Sequence, residues 1–438
     1  MIVIIGGGPA GLSLAHHLER AYELVEREDE VGGLCRSFTL GDAVFDYGGH
    51  AYFTGHAHVT ELIAATSPTS LYRQPRRAFV ASHGTVVPYP FQSNLHGLPV
   101  EVVKECLVGA VETLQSSPAA PPSDLDQWID RAFGSGVARH FLRPYNEKVW
   151  AHPLAEIVPS WVDDRIVQPR IADMIEGALH RRRYVDIPNA TVAYPSTGGF
   201  AELYSGLGRA AAPNTRRGEV TLVDVHEQLV VTAAGETYPY GTLVSTMPLS
   251  ELVRITRPRS ERMCSLASSL AHNSLSLVNV VVGRTAITDM QRLYVADPTV
   301  PFHKLVFNSN SSPSLKSSKH FGIQAEVTYS SYKPLDRDGL EATVVAQLHN
   351  LGILGERDPI VATSTVDVRY AYPIATRAGQ QAVAELRRHY AELGVHLLGR
   401  FGEWDYINSD EAVHRGMRLA EQLNDAEHAP SGVTRVRG

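Results

Sequence analysis

The chain has 438 residues, of which 44% are hydrophobic and 20% charged, and its net charge is −7. This balance indicates a globular protein of two or three domains and gives no support for a nucleic-acid or anionic-membrane partner. Its three cysteines, Cys35, Cys106 and Cys264, are widely separated, which argues against a disulfide scaffold or a zinc site and favours a reducing compartment.

The first residues, MIVIIGGG, lack the basic and apolar regions of a signal peptide, and no later apolar run approaches the roughly 18 residues of a membrane span. We therefore expect a cytoplasmic protein that binds no membrane, no nucleic acid and no metal ion. Self-association into a homo-oligomer stays open at this stage.

The first predicted elements are a buried strand and a helix joined by a glycine-rich turn. Gly6, Gly8 and Gly11 form a G-x-G-x-x-G pattern between the apolar run IVII and the helical sequence LSLAHHL. Glycines at these positions permit the tight turn, the approach of a pyrophosphate and close helix–strand packing. The next predicted strand, YELVE, ends at Glu26, 20 positions after Gly6, where a carboxylate is expected to bind the ribose. The pattern predicts a Rossmann-type dinucleotide site.

Two further glycine pairs follow this turn. DEVGGLCRSF contains Gly32 and Gly33, and FDYGGHAYF contains Gly48, Gly49 and His50. This arrangement resembles the FAD-binding fold of flavin amine oxidases and their relatives, in which the first pair lies against the cofactor and the second segment passes the flavin ring. Gly49 would let the backbone approach a planar ligand, and His50 would hydrogen-bond to it. The alternative for His50 is a purely structural histidine.

The rest of the chain predicts alternating strand-rich and helix-rich segments. Short strands are expected in 75–93 and 216–246, with the last of them returning to the FAD sheet, and strands of a second sheet in 273–281 and 320–329. Helices are expected through most of 100–185 and again at 338–351 and 376–392.

These elements predict an α/β protein with a Rossmann-type FAD-binding domain, an inserted helical domain, and a substrate domain built on a mixed or antiparallel sheet. The predicted boundaries are residues 1–99, 186–262 and 360–425 for the FAD-binding domain, 100–185 for the helical nucleotide-binding domain, 263–359 for the substrate domain and 426–438 for a mobile tail.

Several longer stretches resemble the UDP-galactopyranose mutases, especially the eukaryotic type. They include VPYPFQSNLHGLP, WIDRAFGSGVARHFLRPYNEKVWAHPL, EVTYSSYKPL and GRFGEWDYINSD, and they occur in collinear order from residue 1 to about 420. The resemblance implies an isomerase that uses reduced FAD to interconvert the pyranose and furanose forms of a nucleotide sugar. In that family the flavin N5 atom is the nucleophile, and UDP-galactose is the default substrate.

The resemblance also implies roles for individual residues that contact the nucleotide. The expected contacts to the base and nucleoside are Tyr89, Phe91, Gln92, Phe141, Tyr145, Asn146 and Trp150. Simple packing is the alternative for the aromatic residues, because Phe141 and Tyr145 are four positions apart and one helix face would bury both.

Other matches fall on the diphosphate, the sugar and the flavin. The implied residues are Arg165 and Lys304 as diphosphate cations, Asn189 beside the sugar, Tyr294 and Tyr372 near the diphosphate, and Arg400 and Tyr406 as flavin and phosphate contacts. We expect His50, Arg165, Lys304 and Arg400 to serve catalysis most directly. A solvated ion pair with the neighbouring aspartates is the alternative for Arg165, and an exposed strand-edge lysine is the alternative for Lys304.

Three positions depart from the family pattern. Lys304 stands where the family has an arginine, Ser311 where it has a tyrosine, and Asp410 where it has an asparagine. Lysine is a point charge and lacks the bidentate fork of arginine, so these changes leave a GDP- or dTDP-hexose open as the substrate. Two further alternatives are a flavin-dependent amine oxidase or desaturase, and a nucleotide-sugar-binding protein that does not use a flavin.

Overall fold

The structure is a computed structural model that describes residues 1–115, 120–162, 166, 168–181, 190–317 and 319–428. The strands in these residues are β1 (Ile2–Ile5), β2 (Tyr22–Glu26), β3 (Ser37–Leu40), β4 (Ala43–Asp46), β5 (Leu71–Pro75), β6 (Ala78–Ser82), β7 (Thr85–Pro88), β8 (Thr191–Pro195), β9 (Thr215–Arg217), β10 (Val220–Asp224), β11 (Leu229–Thr232), β12 (Thr237–Pro239), β13 (Thr242–Ser245), β14 (Thr256–Arg257), β15 (His272–Val282), β16 (Arg292–Val295), β17 (Lys304–Val306), β18 (Phe321–Tyr329), β19 (Ile360–Pro373) and β20 (Val395–Leu397). The helices are α1 (Pro9–His17), α2 (Ala57–Thr66), α3 (Val100–Gln115), α4 (Leu125–Val137), α5 (Arg143–Trp150), α6 (Ile171–Leu179), α7 (Glu202–Ala211), α8 (Leu249–Ile255), α9 (Glu261–Ser268), α10 (Leu340–Asn350), α11 (Arg377–Glu392), α12 (Gly399–Gly402) and α13 (Ser409–His428).

A parallel sheet in the order β20-β13-β1-β2-β9 forms the Rossmann core. The apolar run of β1 is buried on both faces because helices cover both. Ile2 and Ile4 pack into the core that contains α1, α7 and α13, while Val3 and Ile5 pack into the core that contains α8 and α11. β13 pairs with β1, which confirms the predicted return of the chain to this sheet.

A second, seven-stranded sheet has the order β19-β15-β18-β17-β16-β6-β7. Its pairings are antiparallel except for the parallel pair β6 and β16, so the predicted mixed sheet is confirmed. Two of its segments differ from the predicted boundaries: residues 78–88 and 360–373, expected in the FAD-binding domain, complete this sheet at its two sides. Both segments join the sheet by strand pairing. β19 runs antiparallel along most of β15, and β6 runs parallel to β16.

The helices α3 to α6 form a separate layer over the end of the seven-stranded sheet, with a shared core that includes Ile129 and Phe133. α3 and α4 approach each other closely, since a Cβ at Gly136 would lie 2.2 Å from the carbonyl oxygen of Glu105. This agrees with the helical prediction for 100–185 in its described parts. Arg165 and Asn189 lie outside the described residues.

Within the described part of the chain, no helix combines the length and the apolar character that a bilayer span requires. The predicted mobile tail, 426–438, overlaps α13, which continues to His428. The remainder of that tail lies outside the described residues.

Candidate active site

The turn between β1 and α1 shows two different uses of glycine. Gly6 has a φ of +97°, and a Cβ at Gly11 would lie 2.1 Å from the carbonyl oxygen of Gly6, so the turn itself requires both. At Gly8 a Cβ would meet only the Cα of Gly33, at 3.9 Å. Gly8 also caps α1 without offering a side-chain acceptor to the helix N–H groups. The turn therefore presents open space and a free helix N-terminus, which fits an approaching diphosphate.

The carboxylate of Glu26 is held against this turn by backbone donors. Its Oε2 accepts from the Gly7 N–H at 2.7 Å, and its Oε1 accepts from the Glu28 N–H at 2.9 Å. Gly32, at a φ of +119°, donates its N–H to the Gly7 carbonyl at 2.7 Å. The second glycine pair thus lies against the first, and the acidic residue stands where a ribose would follow the diphosphate.

The segment around Gly49 is tied to the seven-stranded sheet. The Gly49 N–H donates to Oε1 of Glu326 at 2.7 Å, and the His50 carbonyl accepts from Nη2 of Arg292 at 2.5 Å. A Cβ at Gly49 would lie 2.6 Å from Cγ2 of Val306. The lack of a side chain therefore lets this segment pack against the substrate sheet.

His50 presents an unused ring nitrogen in this segment. Its ring stacks on Phe200 with centroids 4.6 Å apart, and its Nδ1 is buried without a hydrogen-bond partner among the described residues. Burial lowers the pKa of His50 to about 4, so the ring is neutral at pH 7. A neutral, stacked imidazole with an orphaned nitrogen fits a planar, hydrogen-bonding ligand such as a flavin.

A group of cations surrounds the hydroxyl of Tyr294. Burial alone would raise the pKa of this phenol, but the charges of Arg76, Lys304 and Arg292 outweigh burial and lower it. Nη2 of Arg76 donates to the hydroxyl at 2.8 Å. Among the described residues, no carboxylate lies within ion-pair distance of either arginine. The point occupied by this hydroxyl therefore has a positive potential that favours an anion.

The sequence analysis missed Arg76 and Arg292. Arg76 lies between the end of β5 and the start of β6, Arg292 begins β16, and β6 runs parallel to β16. In RLYV the strand alternation puts Arg292 on the same face as Tyr294, which is a signal that was present in the sequence. For Arg76 the sequence offered only a pair of adjacent arginines before a strand.

Lys304, unlike these arginines, is paired with an acid. Its Nζ lies 2.8 Å from Oε2 of Glu326, and Nε2 of His303 lies 3.2 Å from the same oxygen. Burial would raise the pKa of Glu326, but the lysine charge and the histidine hydrogen bond hold it well below its usual range. Burial lowers the pKa of His303 to about 4. The role of Lys304 at a diphosphate stays a prediction, and its charge is already partly balanced.

The aromatic residues of the helical layer form a continuous stack. Phe91, Phe141 and Tyr145 follow one another with centroids 4.9 and 5.1 Å apart, and the edge of Tyr145 meets Tyr294 at 5.7 Å. Phe91 and Phe141 are 0% and 2% exposed, whereas Tyr145 is half-buried. Phe141 lies in a π-helical turn, Ala138–Leu142, a local distortion often found at functional sites. Tyr145 is the member of this stack with surface left for a nucleoside.

Trp150 and Asn146 are linked to each other within α5. Nε1 of Trp150 donates to Oδ1 of Asn146 at 3.2 Å, and Nδ2 of Asn146 donates to the Leu142 carbonyl at 2.7 Å. The indole is 3% exposed and packs against Trp161 and Tyr406. These contacts agree with a packing role, and the predicted nucleoside contacts of both residues stay predictions.

The remaining predicted residues border the same region. Arg76 stacks over the ring of Tyr89 at 4.7 Å, and Gln92 is buried next to Phe91. Arg400 lies 5.7 Å from the ring centroids of both Tyr372 and Tyr406.

Arg400 is also held by the backbone, since its Nε donates to the Ile407 carbonyl at 2.7 Å. Of the two other departures from the family pattern, Ser311 is buried with its carbonyl accepting from Gln74, and Asp410 lies in the first turn of α13. The region between the glycine turn and the Tyr294 cations therefore brings together most of the predicted residues.

Comparisons with known proteins agree with this geometry. A model of the NAD(P)-binding Rossmann-like domain matches residues 4–66. The solved structure of a reduced UDP-galactopyranose mutase superposes with a TM-score of 0.92 and 26% identity, over 97% of this chain and 94% of that chain. A putative protoporphyrinogen oxidase from Exiguobacterium sp. 255-15 matches with a TM-score of 0.73 and 16% identity, over 97% of this chain and 98% of that one. Cyclohexylamine oxidase from Brevibacterium oxydans IH-35A superposes with a TM-score of 0.68 and 14% identity, over 98% of this chain and 99% of that one.

The chain thus has the Rossmann-type flavoprotein fold that is common to UDP-galactopyranose mutase and the amine oxidases. These likenesses indicate a flavin as the cofactor, and the glycine turn, Glu26 and His50 fit such a group. The similarity to the mutase extends over nearly the whole of both chains.

Proposed function

We propose that the protein is an FAD-dependent mutase, similar to the eukaryotic type, that interconverts the pyranose and furanose forms of a nucleoside-diphosphate hexose. UDP-galactose is the first substrate to test, with GDP- and dTDP-hexoses as the alternatives. The observation that carries the proposal is the positive potential at Tyr294, built by Arg76, Arg292 and Lys304 inside a flavoprotein fold. A group of cations that is buried at Arg292 and half-buried at Arg76 and Lys304 suits a ligand with a diphosphate.

The chain's own residues would hold both parts of the cofactor. The N-terminus of α1 and Gly8 would bind the diphosphate of FAD, and Glu26 would accept from a ribose hydroxyl. Gly49 and His50 would border the flavin ring. When bound and reduced, the flavin supplies a nucleophilic nitrogen for the anomeric carbon of the sugar.

The cations near Tyr294 would hold the diphosphate of the substrate while it separates from the sugar and until it returns. Arg292 is buried and Arg76 half-buried, and neither has a carboxylate within ion-pair distance among the described residues, so solvent and ion pairs screen their charges only in part. The Tyr294 hydroxyl accepts from Arg76 and is free to donate its own proton to a phosphate oxygen. A diphosphate held in this way stays close to the anomeric carbon, which favours its return over loss to solvent.

An oxidase acting on amines would gain nothing from Arg76 and Arg292, because these two cations repel a protonated amine. The amine oxidases are neighbours in fold, and the charge at this site favours a mutase over an amine-binding enzyme. A protein that binds nucleotide sugars without a flavin would have no use for the open glycine turn.

The test is turnover of UDP-galactopyranose, UDP-galactofuranose and the GDP and dTDP hexoses by purified protein, followed by chromatography. We expect interconversion only after the flavin has been reduced, with no net consumption of reductant. Oxygen consumption is measured in parallel with candidate amines. Isomerisation by flavin-free protein, or oxidation of an amine without any isomerisation, would refute the proposal.

A further inference from the structure

A cluster of histidines lies on the FAD-binding domain and takes no part in the site described above. His56 precedes α2, His58 lies in its first turn, and His414 lies in α13. One donor nitrogen from each ring lies within 4.8 Å of the others. All three rings are half-buried, so an ion from solvent can reach them.

The donor atoms form two close pairs. Nε2 of His58 and Nδ1 of His414 are hydrogen-bonded at 2.9 Å, and Nε2 of His56 lies 2.9 Å from Oε2 of Glu411. Zinc binds imidazole nitrogen and carboxylate oxygen at about 2.0–2.2 Å, which puts the ligand atoms of a tetrahedral site about 3.3 Å apart. The three histidine nitrogens lie at most 4.8 Å apart, and His58 and His414 approach to 2.9 Å, so their separations bracket that value.

We propose that His56, His58 and His414 form a zinc-binding site that joins the start of α2 to α13, with Glu411 as a carboxylate partner of His56. Three imidazoles with a fourth position open to water are a donor set that suits zinc, whereas magnesium and calcium require oxygen ligands. The sequence analysis expected no metal site because the cysteines are scattered. The sequence does not reveal the histidine cluster either, because His58 and His414 are 356 positions apart.

Glu411 stands beside this group as an outer partner. Its Oε1 accepts from Nε of Arg415 at 2.8 Å, one turn further along α13, and its Oε2 lies 2.9 Å from Nε2 of His56. A carboxylate that orients the ring of a metal-binding histidine is a common feature of metal sites.

A second histidine pair provides a matched control. His83 and His140 are hydrogen-bonded at 3.1 Å, and Glu105 lies 2.8 Å from His140. However, His140 meets His83 with Nδ1 and Glu105 with Nε2, so the three groups cannot converge on one ion. We expect no zinc at this pair.

The experiment is a calorimetric titration of the full chain, free of any affinity tag, with zinc chloride. We expect one ion per chain with a Kd of about 1 µM or lower, abolished by EDTA. His58→Ala and His414→Ala should each weaken binding at least about 100-fold, more than the loss of an outer-shell partner does. His140→Ala should bind zinc as the wild type does.

A second measurement guards against variants that bind poorly because they are misfolded. Circular dichroism and flavin content identify folded variants, and His58→Gln and His414→Gln provide less disruptive versions of the same changes. Zinc should raise the melting midpoint of the wild type and of His140→Ala by about 2 °C or more, and leave the His414 variants unchanged. Absence of zinc binding below about 100 µM in the wild type, or wild-type binding by folded His58 and His414 variants, would overturn the proposal.

Discussion

The candidate active site has a backbone end, the glycine turn between β1 and α1, and a charged end, the cations around Tyr294, and the two are built in different ways. The glycine turn is made from one continuous stretch, and its open space at Gly8 follows from backbone geometry alone. The cation group around Tyr294 is assembled from residues 76, 292 and 304, which become neighbours only through strand pairing. A ligand site made of backbone can thus be recognised locally, whereas a site made of charges depends on which residues burial and pairing bring together.

The largest expected effect tests the backbone end. In Gly8→Val the side chain would occupy space that the protein leaves open, so we expect loss of bound flavin in a folded chain. Gly55→Val is the matched control, since a Cβ there would have nothing within 4 Å. Flavin absorbance and circular dichroism of the purified proteins give the result. Normal flavin content in Gly8→Val would remove the turn from the cofactor site.

Gly11→Val is a less selective variant for this purpose. A Cβ at Gly11 would contact the Gly6 carbonyl at 2.1 Å, so this substitution strains the turn before any ligand binds. Comparison of the two variants separates the glycine that shapes the turn from the glycine that leaves room for a ligand.

The next effect concerns Lys304 and its buried partner. Lys304→Met leaves the carboxylate of Glu326 without its ion pair, and loss of one partner of a buried pair costs about 3–5 kcal/mol of unfolding free energy. We expect Lys304→Met/Glu326→Gln to recover most of this loss in urea denaturation.

Nucleoside-diphosphate affinity of the folded double variant then distinguishes two roles for the lysine. A weakened affinity indicates that Lys304 contributes charge to the ligand. An affinity within twofold of the wild type would restrict Lys304 to balancing Glu326, and would leave the arginines as the diphosphate cations among the described residues.

The smallest expected effect is on nucleoside-diphosphate affinity, when Arg76 alone is changed at the charged end. Arg76→Met removes one charge-assisted contact, which is worth about 1.5–3 kcal/mol, so nucleoside-diphosphate affinity should fall about 10- to 150-fold. Arg337→Met is the control, because Arg337 also lies over a tyrosine ring, Tyr329, at 4.8 Å, but its side chain is exposed and paired with Asp367. Equal affinities for UDP in the two variants, measured at moderate salt, would contradict the assignment of Arg76.

The fold and the cofactor end of the site were largely predictable from the sequence. Strand β1, the glycine pattern and Glu26 have a local spacing that permits few other structures, and the predicted flavoprotein fold is confirmed. The domain boundaries were harder to predict, because β19 could as well have continued the Rossmann domain as joined β15. Edge pairing between segments far apart in sequence leaves no local pattern.

The sequence alone determined where the backbone must be free of side chains, because that need arises within a single strand–turn–helix unit. Only the tertiary structure decided which charges act together. Strand register puts Lys304 beside both Tyr294 and Glu326, and so makes the lysine a paired cation. Arg292, two positions from Tyr294, instead has no carboxylate within ion-pair distance among the described residues, although Glu326 and Asp46 act on its charge from further away. Charge interactions act across space and depend on burial, so they follow from the packed fold and cannot be read from positions along the chain.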